Sequence, residues 1–115
     1  MTRATKVENG TALVTATEAL RALPGSGEQV AELFRHGTLH VKLYTPRGID
    51  DQTPHSRDEA YVVLHGEGEF VSDAGRKKFG PGDFVFAPAG APHHFENFSD
   101  DFAVWVFFYG PEGGE

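Results

Sequence analysis

From residue 28 to residue 109, apolar and polar residues mostly alternate, which is the pattern of β-strands that bury one face. Glycine, proline and aspartate residues separate these segments and are typical of tight turns. The predicted strands cover residues 28–35, 38–44, 59–64, 69–71, 76–79, 84–87, 93–98 and 102–109. Many short strands with regularly spaced turns are typical of a β-barrel or a β-sandwich.

Two of these strands have an unusual composition. Residues 102–109 are apolar on both faces, so we expect this strand to be covered on both sides. Part of its second face is a candidate subunit interface. The run Arg76-Lys77-Lys78 predicts a charged strand at the edge of a sheet, where it resists pairing with another sheet.

The segment before the strands has the features of a short helix. Residues 15–23 predict one or two helical turns that end at Pro24-Gly25. Thr15 or Thr17 is the expected N-cap, and Glu18 lies near the positive end of the helix.

The length of 115 residues suits one compact domain. We interpret residues 1–27 as an N-terminal extension of that domain, in which Val7 and residues 13–14 are weak candidates for an edge strand. Residues 28–110 form the β-barrel, and the polar, Gly-rich residues 111–115 are expected to be a flexible tail.

The charge and the amino-acid usage exclude several classes of partner. The formal charge of −7 and the pI near 5.3 argue against nucleic acid and anionic membranes, which are bound through clusters of lysine and arginine. No segment approaches the roughly 20 apolar residues of a membrane span, and no apolar run of a signal peptide follows Met1. The absence of cysteine excludes disulfides and thiolate zinc sites and agrees with a cytoplasmic location.

Three side chains from two separate segments form a candidate metal site. His55 and Glu59 have the same parity, so in an extended segment their side chains point to the same side. His93 begins another predicted strand, just after a corner that contains Pro88 and Gly90. Two histidines and one carboxylate from neighbouring strands are the ligands of an open metal site, which suits Fe(II) and also Mn, Ni or Zn.

These residues stand in two motifs that resemble those of the cupin superfamily. The second cupin motif is glycine, five residues, Pro-x-Gly, two residues, histidine, three residues and asparagine. This chain matches its fixed positions at Gly82, Pro88, Gly90, His93 and Asn97. The resemblance covers residues 36–109 and implies an all-β fold, a cupin jelly-roll barrel of two antiparallel sheets with a short N-terminal helical segment.

The first cupin motif is matched with one departure. His55, Glu59 and Gly66 have the spacing of the family, but Thr53 stands where the family has a further histidine. The usual set of three histidines and one glutamate is therefore reduced to His55, Glu59 and His93. The resemblance implies that these three hold one divalent metal ion in the centre of the barrel.

The resemblance leaves the reaction open. An enzyme of this type would be a dioxygenase-like oxygenase or a metal-dependent isomerase or lyase acting on a small molecule, with Tyr61 as a candidate acid or base. The alternative is a non-catalytic cupin module that binds a small molecule, because the fold alone does not decide the function. Cupins of this size are often homodimers, so a homodimer is expected here as well.

Further residues are candidates for the walls of the pocket. These are Tyr44, Arg47, Gln52, Thr53, Phe95, Trp105 and Phe107. Gln52 or Thr53 is a candidate for a weak oxygen ligand to the metal, and Arg47 for contact with an anionic substrate. The acidic pair Asp50-Asp51 is expected to be solvated, and Asn97 is interpreted as structural.

Overall fold

The computed structural model describes residues 10–24, 29–50 and 52–115 and consists of two antiparallel β-sheets and one short helix. The elements in chain order are α1 (Ala16–Arg21), β1 (Gln29–His36), β2 (Leu39–Thr45), β3 (Asp58–His65), β4 (Gly68–Ser72), β5 (Gly75–Phe79), β6 (Phe84–Ala87), β7 (His93–Glu96) and β8 (Ala103–Tyr109). The all-β fold with a short N-terminal helix is confirmed, and most strand bounds lie within a residue or two of the predicted ones. The strand predicted to reach residue 98 stops at Glu96, because Asn97 has a left-handed φ of 52°.

The larger sheet has five strands in the order β1-β2-β8-β3-β6, and the smaller has three in the order β5-β4-β7. Strand β8 is the middle strand of the larger sheet, between β2 and β3. Strand β5 lies at the edge of the smaller sheet and carries Arg76, Lys77 and Lys78, which confirms the predicted charged edge.

Helix α1 begins at a capping box. The Thr15 hydroxyl accepts a hydrogen bond from the Glu18 backbone N–H at 3.0 Å, and the Glu18 carboxylate accepts one from the Thr15 N–H at 3.0 Å. Thr15 is therefore the N-cap. Of the predicted edge strand, Val7 lies outside the described residues, and residues 13–14 are not in a strand.

The core has two parts, one on each face of the larger sheet. The inner part lies between the sheets and contains Tyr61, Val63, Phe79, Phe95, Phe102, Val104 and Val106. The outer part lies under α1 and contains Ala19, Ala31, Leu33, Leu43 and Ala103. Strand β8 contributes to both parts, which agrees with the expectation that it is covered on both sides.

The last residues of the chain make defined contacts with β3 and the segment before it. The Gly113 N–H donates to the Ser56 carbonyl at 2.7 Å, and the Glu115 N–H donates to the Asp58 carboxylate at 2.9 Å. The mobility expected for residues 111–115 and the limits of the N-terminal extension stay predictions. None of the described helices is long and apolar enough to cross a membrane.

Candidate metal centre

Three ligand-type side chains converge between the two sheets. Glu59 lies on β3 of the larger sheet, His93 begins β7 of the smaller sheet, and His55 lies in the irregular segment before β3. One potential ligand atom of each lies within 4.8 Å of the others. Glu59 Oε1 is 3.1 Å from His93 Nε2 and 3.7 Å from His55 Nε2.

The two segments that carry the histidines are connected directly. After Pro88, Gly90 has a φ of +79°, a conformation that favours glycine, and its N–H donates to the His55 carbonyl at 2.7 Å. This hydrogen bond holds the corner at Pro88 and Gly90, which precedes His93, against the segment that carries His55. It therefore sets the distance between the two imidazoles, whose ring centroids are 6.1 Å apart.

Backbone contacts orient the His93 ring for coordination. Its Nδ1 lies 2.8 Å from the Ala91 carbonyl, so Nδ1–H is the donor there and Nε2 keeps a lone pair that faces the cluster. Nε2 lies near both the Tyr61 hydroxyl, at 3.0 Å, and the Glu59 carboxylate. A neutral ring in this tautomer cannot donate to Glu59, whereas a cation between the two would satisfy both groups. The donor set therefore fits a divalent metal ion.

The buried negative charge of the cluster also favours a bound cation. Glu59 is only 2% exposed, and a buried carboxylate needs a counter-charge. Burial alone would lower the pKa of His93, but its hydrogen bonds to Glu59 and Ala91 and the charges of Glu59 and Asp50 raise that pKa. The raised pKa means that these neighbours favour a positive charge at His93.

Tyr61 lies beside the cluster as a neutral hydroxyl. Burial, and then the negative charge of Glu59, raise the pKa of Tyr61. The hydroxyl lies 3.2 Å from Gln52 Oε1 as well as 3.0 Å from His93 Nε2, so it can donate its proton to either.

Asp50 orients this polar network by accepting hydrogen bonds from several of its members. Its carboxylate is 4% exposed and accepts hydrogen bonds from the Tyr44 hydroxyl at 2.7 Å, from Gln52 Nε2 at 2.6 Å and from the Phe95 N–H at 2.8 Å. Because the Gln52 amide donates to Asp50, its carbonyl oxygen is directed at Tyr61. The expectation that Asp50 is solvated is wrong, because the chain turns inward after Gly48, whose φ is +74°. Asp51 lies outside the described residues.

A cavity of about 180 Å³ adjoins the cluster. Its walls come from β1, β2, β3, β8 and the segment before β3. The lining residues are Val30, Lys42, Tyr44, Gln52, His55, Glu59, Tyr61, Val106 and Phe108. The Phe108 ring packs edge-on against His55, with 4.9 Å between the ring centroids.

The residues predicted for the pocket divide into three groups. Tyr44 and Gln52 line the cavity, and Phe95 packs behind it in the core, 5.1 Å from Tyr61 between ring centroids. Arg47 and Thr53 are exposed and are not part of the lining. The third group, Trp105 and Phe107, lies on the outer face of the larger sheet, in a groove with Phe34, Val41 and Val62.

Sequence reasoning missed four lining residues: Val30, Lys42, Val106 and Phe108. Lys42 has the same parity as Tyr44 on β2, a signal that could have found it. For β8 the sequence gives no such guide, because both faces of that strand are apolar. Asn97 donates to the Glu69 carboxylate at 2.6 Å, an arrangement in keeping with a structural role.

The sequence and the fold of this chain are similar to those of known proteins. The profile of the cupin domain family matches residues 41–109. An uncharacterized protein of Streptomyces coelicolor is 36% identical over 83 residues, which cover 70% of this chain and 79% of that protein. A cupin 2 conserved barrel domain protein of Salinispora arenicola has the same fold, with a TM-score of 0.66, 20% identity, and coverage of 87% of this chain and 91% of that one.

A further relative has an assigned activity. The dimethylsulfoniopropionate lyase DddQ of Ruegeria pomeroyi is 37% identical over 70 residues, which cover 59% of this chain and 35% of the lyase. Its crystal structure superposes with a TM-score of 0.58 and 31% identity, over 65% of this chain and 40% of the lyase chain. This chain therefore spans well under half of the lyase.

Proposed function

We propose, from the premise that this chain belongs to the cupin domain family, that His55, Glu59 and His93 hold one divalent metal ion. The observation that carries this proposal is the convergence of three ligand atoms on a buried carboxylate, with His93 Nδ1 already engaged by the Ala91 carbonyl. Fe, Mn, Ni and Zn all suit two imidazoles and one carboxylate, so we do not choose among them.

We further propose that the protein acts on a small molecule as a metal-dependent lyase or isomerase. A bound divalent ion would supply a Lewis acid for an oxygen of the ligand and would lower the pKa of the adjacent Tyr61. Tyr61 lies between Gln52 Oε1 and His93 Nε2, where its oxygen is held at the edge of the cavity.

With its own proton released to solvent once the metal ion is bound, the Tyr61 phenolate would accept a proton from the carbon next to a carboxylate. For a lyase, that electron pair forms a carbon–carbon double bond as the leaving group departs with its own pair from the next carbon. For an isomerase, the proton returns at a different position. The lyase activity of the relative DddQ supports this class over an oxygenase.

The metal site is tested by elemental analysis of the purified protein. We expect near one equivalent of metal per chain, and at least about tenfold less in Glu59→Gln and His93→Ala with circular dichroism unchanged. His65→Ala, at the exposed end of β3, is the matched control and should keep its metal. Full occupancy in both ligand variants would overturn the assignment.

The reaction class is tested by nuclear magnetic resonance in D₂O. The metal-loaded protein is incubated with short carboxylates, including dimethylsulfoniopropionate, and exchange or elimination at the carbon next to the carboxylate is followed. Tyr61→Phe should slow the reaction by about 100-fold or more at unchanged metal content. Equal rates in the wild type and in Tyr61→Phe would show that Tyr61 takes no part in the reaction.

The second candidate function is a non-catalytic module that binds a small molecule. Thr53 in the place of a family histidine, with its side chain exposed, favours this alternative because the loss of one imidazole ligand weakens metal binding. Metal binding with no turnover of any carboxylate would select it.

We also propose that the protein is a cytoplasmic homodimer that binds neither nucleic acid nor membranes. The charge of −7 and the absence of cysteine support the location and the excluded partners. The outer face of the larger sheet supports the dimer, since Phe84 is 67% exposed and Phe86 45% exposed there.

A further inference from the structure

One basic side chain lines the cavity. Lys42 lies on β2, where it pairs with Glu32 of β1 on one side and Val106 of β8 on the other. Its ammonium nitrogen lies over the Phe108 ring, 5.4 Å from the centroid. The His55 ring packs against the same Phe108 ring, so Lys42 and the candidate metal ligand flank one aromatic side chain.

The nearby carboxylates are engaged elsewhere. Glu32 is held by Arg35 at 2.7 Å and lies 3.2 Å from His40, and Glu59 faces the two histidines of the cluster. Within residues 10–24, 29–50 and 52–115, Lys42 forms no ion pair with a carboxylate. Its charge is therefore available to a ligand in the cavity.

Both sides of the cavity then carry a positive charge. A divalent ion balanced by the Glu59 carboxylate leaves a net positive charge on the β3 side of the cavity, and Lys42 places another on the β2 side, with β8 between these two strands. A ligand cation would also find the Phe108 ring already covered by the Lys42 ammonium. Between the two sides, Val106 and Phe108 offer an apolar wall suited to a methylene chain.

From this arrangement we infer that the cavity takes a short ligand with two anionic or oxygen-donor ends, such as a small dicarboxylate, and that Lys42 selects the end far from the metal cluster. The inference rests on the proposed metal site for one end only. A volume of about 180 Å³ lies below the 300–1,000 Å³ typical of sites for drug-sized molecules, so the ligand is a small metabolite. Lys42 is thus a specificity-determining residue that disfavours a cationic substituent at the far end.

The test uses three hydroxamates that share a metal-binding group and differ at the far end. These are succinic acid monohydroxamate, neutral butyrohydroxamate and 3-(trimethylammonio)propionohydroxamate. For the metal-loaded protein, isothermal titration calorimetry should show the anionic probe binding about tenfold tighter than the neutral one, with the cationic probe weakest.

Substitutions at Lys42 should change this order without changing the metal content. Lys42→Gln should bring the anionic and neutral probes within about twofold of each other, and Lys42→Glu should place the cationic probe first. Lys77→Gln, on the exposed edge strand β5, is the matched control and should keep the wild-type order. A wild-type protein without the preference, or a Lys42→Gln protein that keeps it, would overturn the inference.

A second measurement separates this inference from the metal site. The metal-free protein is heated with succinate or with succinamide, and the change in melting temperature is compared in the wild type and in Lys42→Gln. Stabilisation by succinate alone that requires Lys42 supports the anion site even if no hydroxamate binds. An equal response to both compounds rules the anion site out, whatever the metal analysis shows.

Discussion

At the scale of single residues, Asp50 illustrates how a side chain can shape a site from outside it. Asp50 does not line the cavity. It accepts hydrogen bonds from Tyr44 and Gln52, and both of these residues do line it. The same carboxylate accepts a hydrogen bond from the Phe95 N–H, two residues after the candidate ligand His93. Asp50 therefore couples the cavity wall to the strand that carries a candidate metal ligand.

Replacing Asp50 by asparagine should destabilise the protein. The amide keeps one acceptor oxygen but turns an NH₂ group toward donors that the carboxylate now satisfies, which leaves at least one buried donor unpaired. We expect a loss of about 1–3 kcal/mol in the free energy of unfolding, measured by urea denaturation. Asp73→Asn, in the exposed turn between β4 and β5, makes the same change of charge and should cost less than about 0.5 kcal/mol. Equal losses in the two variants would show that the Asp50 network has no special role.

The candidate ligand residues, which the structure brings together, could be predicted from sequence, whereas the residues around them could not. His55, Glu59 and His93 follow from parity and motif spacing, because these are local properties of the chain. The burial of Asp50 depends on where the loop after Gly48 folds, and the placement of Phe108 rather than Phe107 in the cavity depends on which face of β8 meets the smaller sheet. Both are tertiary properties that a single strand does not encode.

At the scale of elements, Gly66 controls the connection between β3 and β4. Its φ is +89°, and a Cβ at this position would lie 2.7 Å from the Phe102 Cα. The backbone of the segment before β8 thus passes directly over the turn after β3. No other residue type combines this conformation with this approach.

Gly66→Ala should therefore be strongly destabilising. Backbone strain and the clash with Phe102 each cost about 1–3 kcal/mol, so we expect a loss of at least 2 kcal/mol in thermal or urea unfolding. Gly80→Ala is the matched control, because a Cβ there meets nothing within 4 Å and its φ is not left-handed. That variant should unfold within about 0.5 kcal/mol of the wild type. A tolerated alanine at position 66 would mean that the turn can rearrange.

The elements show the same division between local and tertiary information. The short helix over residues 15–23, its N-cap at Thr15 or Thr17 and the glycine turns are local, and the sequence predicts them. The way α1 covers the outer face of the larger sheet beside Leu33 and Leu43 comes from long-range packing, so it could not be predicted.

At the scale of the whole molecule, the larger sheet has an outer face that α1 covers only in part. Strands β2, β3, β6 and β8 present mainly apolar side chains there, and the one carboxylate among them, Asp58, is buried and accepts hydrogen bonds from the Ala89 and Glu115 N–H groups. These outward-facing residues include Val41, Val62, Phe84, Phe86, Trp105 and Phe107. A second copy of the chain, with the same largely apolar face, is a suitable partner for it.

The proposed dimer predicts a specific loss of mass. The wild-type protein should sediment at twice the chain mass of 12.5 kDa, and the double variant Phe84→Ser/Phe86→Ser should sediment as a monomer. Ile49→Ser removes an equally exposed apolar residue from a loop and should leave the dimer intact. A wild-type monomer, or a dimer that survives both phenylalanine changes, would show that this face is not the interface.

The candidate metal ligands belong to different sheets, Glu59 to the larger and His93 to the smaller, so a bound ion would connect the two halves of the fold. Binding to the folded state alone stabilises it, by about 2.7 kcal/mol when the free ion is at a hundred times its dissociation constant. That amount is a large part of the stability of a small domain and sets how often the chain opens to proteases. The concentration of free metal in the cell would then determine how much of this protein escapes proteolysis, before it determines the rate of any reaction.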